Sequence, residues 1–433
     1  MSMNNSAKKI KVILFDLDNT LLQTDSLEQF RKLGKEAKFE PYEKDFNDSL
    51  DVLKSNFHPP KSYNPYYFNR EFLENIKKRN ILLGVVTKSP RNYAIKVLEK
   101  FYPSSNNMTF FHILVAQENE ENQKTNEEGI LSALKCLKLM FPDFLSDLNG
   151  NEVLYVGNET EDINTAYNGG CLSALKINDF EQIKEKNLIE LPEFIIRTED
   201  DLMNIVIEPE NCLPFMESYL QREKSQSPVF LYLNKTEKDK KYEIIVAGHY
   251  FPCKGCFELK RQFHKFSEEI LEQKDKMIFP NAWLEALRKL LILQTEDSIF
   301  EHKEVIITCI PHRQGRSPRL ESLLKQLADY LKKSEIHHDC TIHIIPDLLE
   351  YDESALSNHK DAKTKTKRFE NVRDHLHVKR KDLISERIDK IIIIDDVVTT
   401  GASLVVASDK VRETGARNVT LFAYAQTVSD RIM

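Results

Sequence analysis

Apolar runs that break sharply into polar clusters organise this chain. IKVILF (10–15) is a short apolar run that reads as a buried strand, and it gives way at once to DLDNT. Residues 26–50 are polar and helical in character, interrupted at Pro41. HPPKSYNPYYFNR (58–70) has three prolines and several turn-forming residues, which makes it a loop. EFLENIKKR (71–79) reads as an amphipathic helix feeding a second strand, ILLGVV (81–86). A third strand, EVLYVG (152–157), leads through NETED into DINTAYNGG, a helix stopped by the Gly169–Gly170 pair. Strand, polar loop and helix in repetition imply an α/β unit with a mostly parallel sheet. In such sheets ligands collect beyond the carboxyl ends of the strands, and the polar clusters fall there.

The pattern loosens from about 196 to 228, and a linker or inter-domain helix is expected over 201–228. A second α/β region follows. Its expected strands are VFLYLN (229–234), VIITCIP (305–311), TIHIIPDL (341–348), IIII (391–394) and NVTLFAYA (418–425). A helix carries Leu320, Leu323, Leu324 and Leu327 at helical spacing. The expected division is a first domain over 1–200 with a small cap near 25–75, and a second over 229–433. No internal repeat relates the two.

Composition narrows the class. The 433 residues suffice for two or three domains that bury sizeable cores. A formal charge of −7 argues against a basic nucleic-acid coat, and 41% hydrophobic residues argue against broad disorder. The longest apolar runs fall far short of the roughly 20 residues of a membrane-spanning helix. MSMNNSAKKI holds two lysines but no apolar run before the first strand, which points away from secretion. Seven scattered cysteines point to reduced thiols and a cytoplasmic location.

Two clusters carry candidate chemistry. Asp16 and Asp18 follow the first strand at i and i+2, so both address one cleft. Carboxylates this close repel unless a cation or shared proton offsets them, and Mg²⁺ suits an all-oxygen site handling phosphate. Thr87 ends the second strand, and Lys124 and Asp162 complete the charge balance. DLDNTLL (16–22), VVTKS (85–89), Lys124 and VGNETEDINTAYNGG (156–170) together resemble the four motifs of the haloacid-dehalogenase-like phosphohydrolases, over roughly residues 8–190. The resemblance implies a Rossmannoid domain with Asp16 as the nucleophile that forms an aspartyl-phosphate and Asp18 as general acid and base. It further implies that Thr20 supports that loop, that Thr87 and Lys124 hold the transferring group, and that Asp16, Asp18, Asn158 and Asp162 hold Mg²⁺. The family has Asp where this chain has Asn158, which removes one charge from the metal site.

The second cluster is IIIIDDVVTTGAS (391–403), a strand ending in two acids, two hydroxyls and a glycine. Backbone N–H groups at a helix start form an anion nest, Gly401 permits close approach, and the acids suit sugar hydroxyls. This resembles the PRPP-binding motif of type I phosphoribosyltransferases, and within them the ComF-like branch, over roughly 228–428. The resemblance implies a parallel-sheet domain in which Asp395 and Asp396 bind the ribose hydroxyls. Thr399, Thr400, Gly401, Ala402 and Ser403 would take the 5-phosphate, and Pro311, His312 and Arg313 in CIPHRQGR the diphosphate with Mg²⁺. In the segment 360–381, nine basic residues face three acidic ones. It contains Arg368, Asn371 and Arg373 and reads either as a mobile flap over a polyanion or as a solvated loop, with no nucleic-acid motif beside it.

His249, Cys253, Cys256 and His264 have a spacing open to zinc, to redox chemistry of the cysteine pair, or to a local turn at Lys254-Gly255. The function expected from both resemblances is bifunctional. Ribose 5-phosphate passes from PRPP to a small-molecule acceptor, and a phosphomonoester, the product's 5-phosphate, is hydrolysed. A PRPP sensor fused to a phosphatase, and a salvage or repair phosphatase, are the alternatives. The acceptor is not named by the sequence, and a homodimer is among the assemblies it allows.

Overall fold

The computed structural model describes residues 10–35, 42–55, 64–104, 109–117, 126–179, 186, 188–222, 230–253, 257–295, 302–333, 340–352 and 364–428. The chain divides into two compact units. One comprises Met1–Gln182 with Pro192–Cys212, the other Ile183–Leu191 with Leu213–Met433.

In the N-terminal unit, β1 (Val12–Phe15) is followed by α1 (Glu28–Lys35), α2 (Glu43–Ser55) and α3 (Arg70–Lys77). Then come β2 (Leu82–Pro90), α4 (Arg91–Phe101), β3 (Ile113–Gln117), α5 (Asn126–Met140), β4 (Val153–Gly157), α6 (Thr160–Asn168), β5 (Leu172–Lys176), β6 (Phe194–Ile196) and α7 (Glu199–Ile207). The six strands form one sheet in the order β3-β2-β1-β4-β5-β6, and every pairing is parallel. β1 is VILF and β4 is VLYVG, with every residue buried, as expected of central strands covered on both faces. The strand order reverses between β1 and β4, so the crevice of a doubly wound sheet opens at their carboxyl ends. In the 25–75 cap region, α1 and α2 meet α4 through Phe30, Phe46 and Tyr93, whose rings lie 5.1 and 5.5 Å apart in succession.

Lys176 at the end of β5 is 4% exposed. Its Nζ donates to the Ile177 carbonyl at 2.8 Å and lies 4.1 Å from the centre of the Tyr67 ring. Burial brings its pKa down to about 8, partly countered by Asp201. A depressed lysine holds fewer protons folded than unfolded between its folded pKa and the ordinary lysine range, so stability rises with pH there. Melting curves of wild type and Lys176→Met should therefore shift in favour of wild type from neutral pH toward pH 10. A pH-independent difference contradicts this.

The C-terminal unit contributes α8 (Phe215–Arg222), β7 (Leu231–Glu237), β8 (Lys240–Val246), β9 (His249–Tyr250), α9 (Phe257–Phe263), α10 (Phe266–Glu272) and α11 (Asn281–Thr295). It continues with β10 (Lys303–Cys309), α12 (Arg319–Leu331), β11 (Cys340–Ile344), β12 (Leu349–Tyr351), α13 (Lys365–His375), β13 (Leu376–Val378), β14 (Lys390–Val398), α14 (Ala402–Glu413) and β15 (Val419–Thr427). The main sheet runs β11-β10-β14-β15-β8-β7 with β9 on β15, and β12 and β13 pair separately. All main-sheet pairings are parallel except β7–β8, a hairpin turned at Lys238 and Asp239, both with positive φ. The sheet is thus mixed rather than purely parallel: two strands joined by a two-residue turn can only lie antiparallel.

The stretch 201–228 holds regular structure in both units. Thr198 and Asp201 form a reciprocal cap on α7, whose Leu202, Ile205 and Val206 are buried. Phe215 and Met216 of α8 are buried in the core of the other unit. Among the described residues no helix is long and apolar enough to cross a membrane.

Candidate functional sites

In the N-terminal unit the site forms where β1 and β4 end side by side. Phe15 pairs with Val156, and the Asp16 N–H donates to the Val156 carbonyl at 2.9 Å. The chain then turns tightly through Asn19, at φ 55°, and the buried Asp18 and Thr20 fall on this turn. Gly157 ends β4 with no room for a side chain: a Cβ there would lie 2.2 Å from Cβ and Cγ of Asp162. Asp162 sits in the first turn of α6, and its Oδ2 accepts the Glu159 N–H at 2.9 Å.

The electrostatics are those of crowded acids. Burial pushes the Asp16 carboxyl well above its ordinary range, and the charges of Asp162 and Asp18 push it further, against a hydrogen bond from Thr87. Burial likewise raises Asp162 to about 6, with Lys88 opposing. Thr87 therefore meets Asp16, at a register irregularity between β2 and β3 spanning Thr87 and Pro90. Asn158 joins the cluster: its Oδ1 accepts from Thr20 Oγ1 at 3.1 Å, and its Nδ2 donates to Glu159 Oε1. An all-oxygen set of mutually repelling carboxyls plus an amide oxygen fits a hard divalent cation. Asp16, Asp18, Thr87, Asn158 and Asp162 are thus brought together. Lys124 lies outside the described residues.

Sequence reading missed the groups around Asp18. Thr24 Oγ1 and Tyr93 Oη each donate to its Oδ1 at 2.7 Å, Ser89 Oγ donates to Oδ2, and Arg31 Nη1 stands 3.7 Å from Oδ2. Hydroxyls donate to a carboxylate and accept from a carboxylic acid, so this shell serves Asp18 in both protonation states. Burial first, and then Asp18, push the Tyr93 phenol upward, so it stays protonated as a donor. No local sequence signal ties these residues to Asp18.

In the C-terminal unit the order of strands also reverses, between β10 and β14. Cys309 pairs with Ile394, and Ile310 N–H donates to the Ile394 carbonyl, so the loop from Pro311 starts beside Asp395 and Asp396, which do not end the strand as the sequence suggested but continue β14 along β15. Burial and the Asp396 charge push Asp395 well above the carboxylate range. Arg319 Nη1 donates to Asp396 Oδ2 at 2.7 Å. Gly401 caps α14 at φ 80°, and a Cβ there would come within 3.0 Å of Lys235. Thr399 shares a hydroxyl contact with Thr427 at 3.0 Å, Thr400 Oγ1 faces the Ala402 N–H, and the Tyr351 phenol neighbours both Arg313 and Ser403. Arg313 is 9% exposed, with its guanidinium 4.9 Å from the Tyr351 ring centre. His312 is taken by Glu321, which accepts its backbone N–H and contacts its ring, both at 2.8 Å. Arg319 and Tyr351 were missed by sequence reading because both are distant in sequence from the acids.

The basic segment differs from the loop expected. Residues 353–363 lie outside the described part. From Thr364, which caps α13, the chain is helical, with Phe369 and Val372 buried. Arg373 is tied to Glu237 at 2.6 Å, and Arg368 and Asn371 lie half-buried on the same helix. In its described part the flap is therefore a docked helix: apolar residues three apart face inward, a period masked by the surrounding charges. Of the four residues spaced like zinc ligands, His249 and His264 are buried beside Glu217, Cys253 is exposed, and Cys256 lies outside the described residues.

Comparison with known proteins bears on the first site. Residues 25–176 match the model of the haloacid dehalogenase-like hydrolase family, a span that begins beyond Asp16 and Asp18. Solved structures similar to this chain include a predicted phosphatase from Clostridium acetobutylicum, at 18% identity, covering 46% of this chain and 99% of that one with a TM-score of 0.31. A Had-superfamily hydrolase from Ehrlichia chaffeensis has 16% identity, covering 47% and 98% with a TM-score of 0.29. A beta-phosphoglucomutase from Clostridium difficile has 17% identity, covering 45% and 93% with a TM-score of 0.29. At such scores these likenesses carry nothing about substrate. No curated protein matches the chain.

Proposed function

With a haloacid-dehalogenase-like hydrolase domain at the N-terminal end of the chain as premise, we propose that the protein is a Mg²⁺-dependent phosphomonoesterase joined to a PRPP-using phosphoribosyltransferase. The observation that carries the first half is the meeting of Asp16, Asp18, Asp162, Asn158 and Thr87 at the β1/β4 crevice. Asp16 attacks phosphorus, the bond to the leaving oxygen breaks, and Asp18 supplies that oxygen with a proton. Water then attacks the aspartyl-phosphate, Asp18 accepts its proton, and phosphate leaves with Asp16 restored. Thr87 donates to the transferring group. Asp16, the Asp18 carbonyl, Asn158 and Asp162 would hold Mg²⁺, which would offset the negative charge of substrate and carboxylates.

The second half rests on the β10/β14 edge of the C-terminal unit. Asp395 and Asp396 suit ribose hydroxyls, the Gly401 cap and the start of α14 suit a 5-phosphate, and Arg313 suits diphosphate. An acceptor nucleophile bonds to the anomeric carbon as diphosphate departs. Hydrolysis of the product's 5-phosphate would then draw this reversible transfer forward. The test incubates Asp16→Asn protein with PRPP, Mg²⁺ and deproteinised cell extract, followed by mass spectrometry. Metabolites gaining a phosphoribosyl group, which lose phosphate when wild type is added, support both activities and their order. PRPP that binds but stays intact overturns the transferase and leaves a PRPP sensor on a phosphatase.

A further inference from the structure

Neither site uses the buried trio of Glu217 on α8, His249 on β9 and His264 between α9 and α10. All three residues are 0% exposed. His249 Nδ1 lies 3.0 Å and His264 Nδ1 3.2 Å from the same carboxylate oxygen, Glu217 Oε1, with the two rings inclined at 65°. Neighbouring ligands of a tetrahedral zinc ion, with bonds of about 2.0–2.1 Å, stand about 3.3 Å apart. The spacing is that of a ligand set.

Hydrogen-bond accounting points the same way. His249 Nε2 lies 3.2 Å from the Leu191 carbonyl, which only accepts, so Nε2 carries the hydrogen. In a neutral imidazole Nδ1 then presents a lone pair to a carboxylate 3.0 Å away, an arrangement that requires a positive charge between them. A ring N–H held by a backbone carbonyl, with the other nitrogen aimed at a shared centre, is how metal-bound histidines are oriented. Glu217 Oε1 additionally accepts the His249 backbone N–H at 2.8 Å, while Oε2 is buried with no hydrogen-bond partner. Gly248 lets the strand come this close: a Cβ there would press on Phe266 and lie 3.6 Å from the Glu217 carboxyl carbon.

We propose that Glu217, His249 and His264 bind one divalent cation, Zn²⁺, as a structural staple of the C-terminal unit, both histidines through Nδ1 and the glutamate through its carboxylate. Imidazole and carboxylate donors suit zinc, and full burial suits a structural ion over a catalytic one. The ion ties α8, β9 and the α9–α10 corner together. Because β9 pairs with β15 at His249 and Gln426, the staple also fixes β9 against an interior strand of the main sheet.

The test uses the full-length protein purified without chelators. Elemental analysis should give about one zinc per chain. Glu217→Gln and His264→Gln should lower it to under about a tenth, with Cys253→Ser unchanged. Stripping wild type with a strong chelator should lower Tm, with recovery on adding Zn²⁺ and none on adding Mg²⁺. Co²⁺ in place of zinc should give visible d–d bands without the near-ultraviolet band of thiolate ligation. This spectrum tests the ligand set even where a variant fails to fold. Metal-free protein whose Tm ignores both chelator and Zn²⁺ overturns the proposal, and identifies the trio as an imidazolium–carboxylate pair. A thiolate band lost in Cys253→Ser overturns the ligand set.

Discussion

Asp16→Asn should lower Mg²⁺-dependent hydrolysis of a generic phosphomonoester such as p-nitrophenyl phosphate by on the order of 10³-fold or more, since a neutral amide neither attacks phosphorus nor forms the acyl phosphate. The same variant should fold, and in the absence of Mg²⁺ melt higher than wild type. The reason is in the site's electrostatics: burial, Asp162 and Asp18 push the Asp16 carboxyl well above its ordinary range, so its ionised form is destabilising in the metal-free fold. The sign follows from linkage. A carboxyl with a raised folded pKa contributes stability below its unfolded pKa and loses it as pH rises through the folded value. Metal-free wild type should thus lose stability toward neutral pH more steeply than Asp16→Asn. Adding Mg²⁺ should stabilise wild type more than the variant. Acid-quenched wild type should carry a phosphoryl adduct on the peptide containing Asp16. Unchanged turnover in the variant would remove Asp16 from the mechanism, and a lower metal-free Tm would remove the electrostatic account of its environment.

Gly157→Ala should be the most damaging single-methyl change at this site. Its Cβ would lie 2.2 Å from Cβ and Cγ of Asp162 and 2.3 Å from Oδ2, far inside any real contact. These atoms belong to the first turn of a helix rather than to the end of a flexible chain, so relief requires α6 to shift or Asp162 to abandon the Glu159 N–H. Forcing a methyl into a packed site costs about 1–3 kcal/mol, and displacing a ligand by an ångström costs about 10²-fold in rate. Both effects are expected together: a lower Tm in thermal melts and a weaker Mg²⁺ response in kinetic titrations. Full activity with an unchanged Mg²⁺ response would mean that Asp162 does not contribute to the metal site.

The alternation of apolar runs with polar clusters was enough to identify β1, β2, β4, β7, β10, β11, β14 and β15, with the acids that follow β1 and β4 and those inside β14. A strand buried on both faces must be continuously apolar, and its polar successor must leave the sheet. β1 meets that condition fully and is followed by Asp16 and Asp18, whereas β14 runs on through Asp395 and Asp396 to Val398 along β15. The polar helix starts were legible for a similar reason. Weakly patterned pieces were the hardest to read: β3, half-buried along nearly its whole length, and α13 escaped notice, while α7 and α8, with short apolar faces among charges, fall where only a linker or inter-domain helix was expected. Their order comes from caps and neighbours, which a local window does not contain.

What the sequence determined by itself was chemistry strictly local to the chain: Asp16 with Asp18, Gly157 with Asn158 and Asp162, and Asp395 and Asp396 before Gly401. Tertiary structure alone decided which of these meet. It joined β1 to β4 and β10 to β14 at the reversal of strand order, surrounded Asp18 with Thr24, Ser89 and Tyr93, and set Arg319 on Asp396. It also separated His249 and His264 from the exposed Cys253 and gave them Glu217, which precedes His249 by 32 residues. The physical reason is that parallel strands need long crossovers, so neighbours in such a sheet come from distant parts of the chain. A side chain's partners there depend on strand order and register, quantities that no contiguous segment encodes.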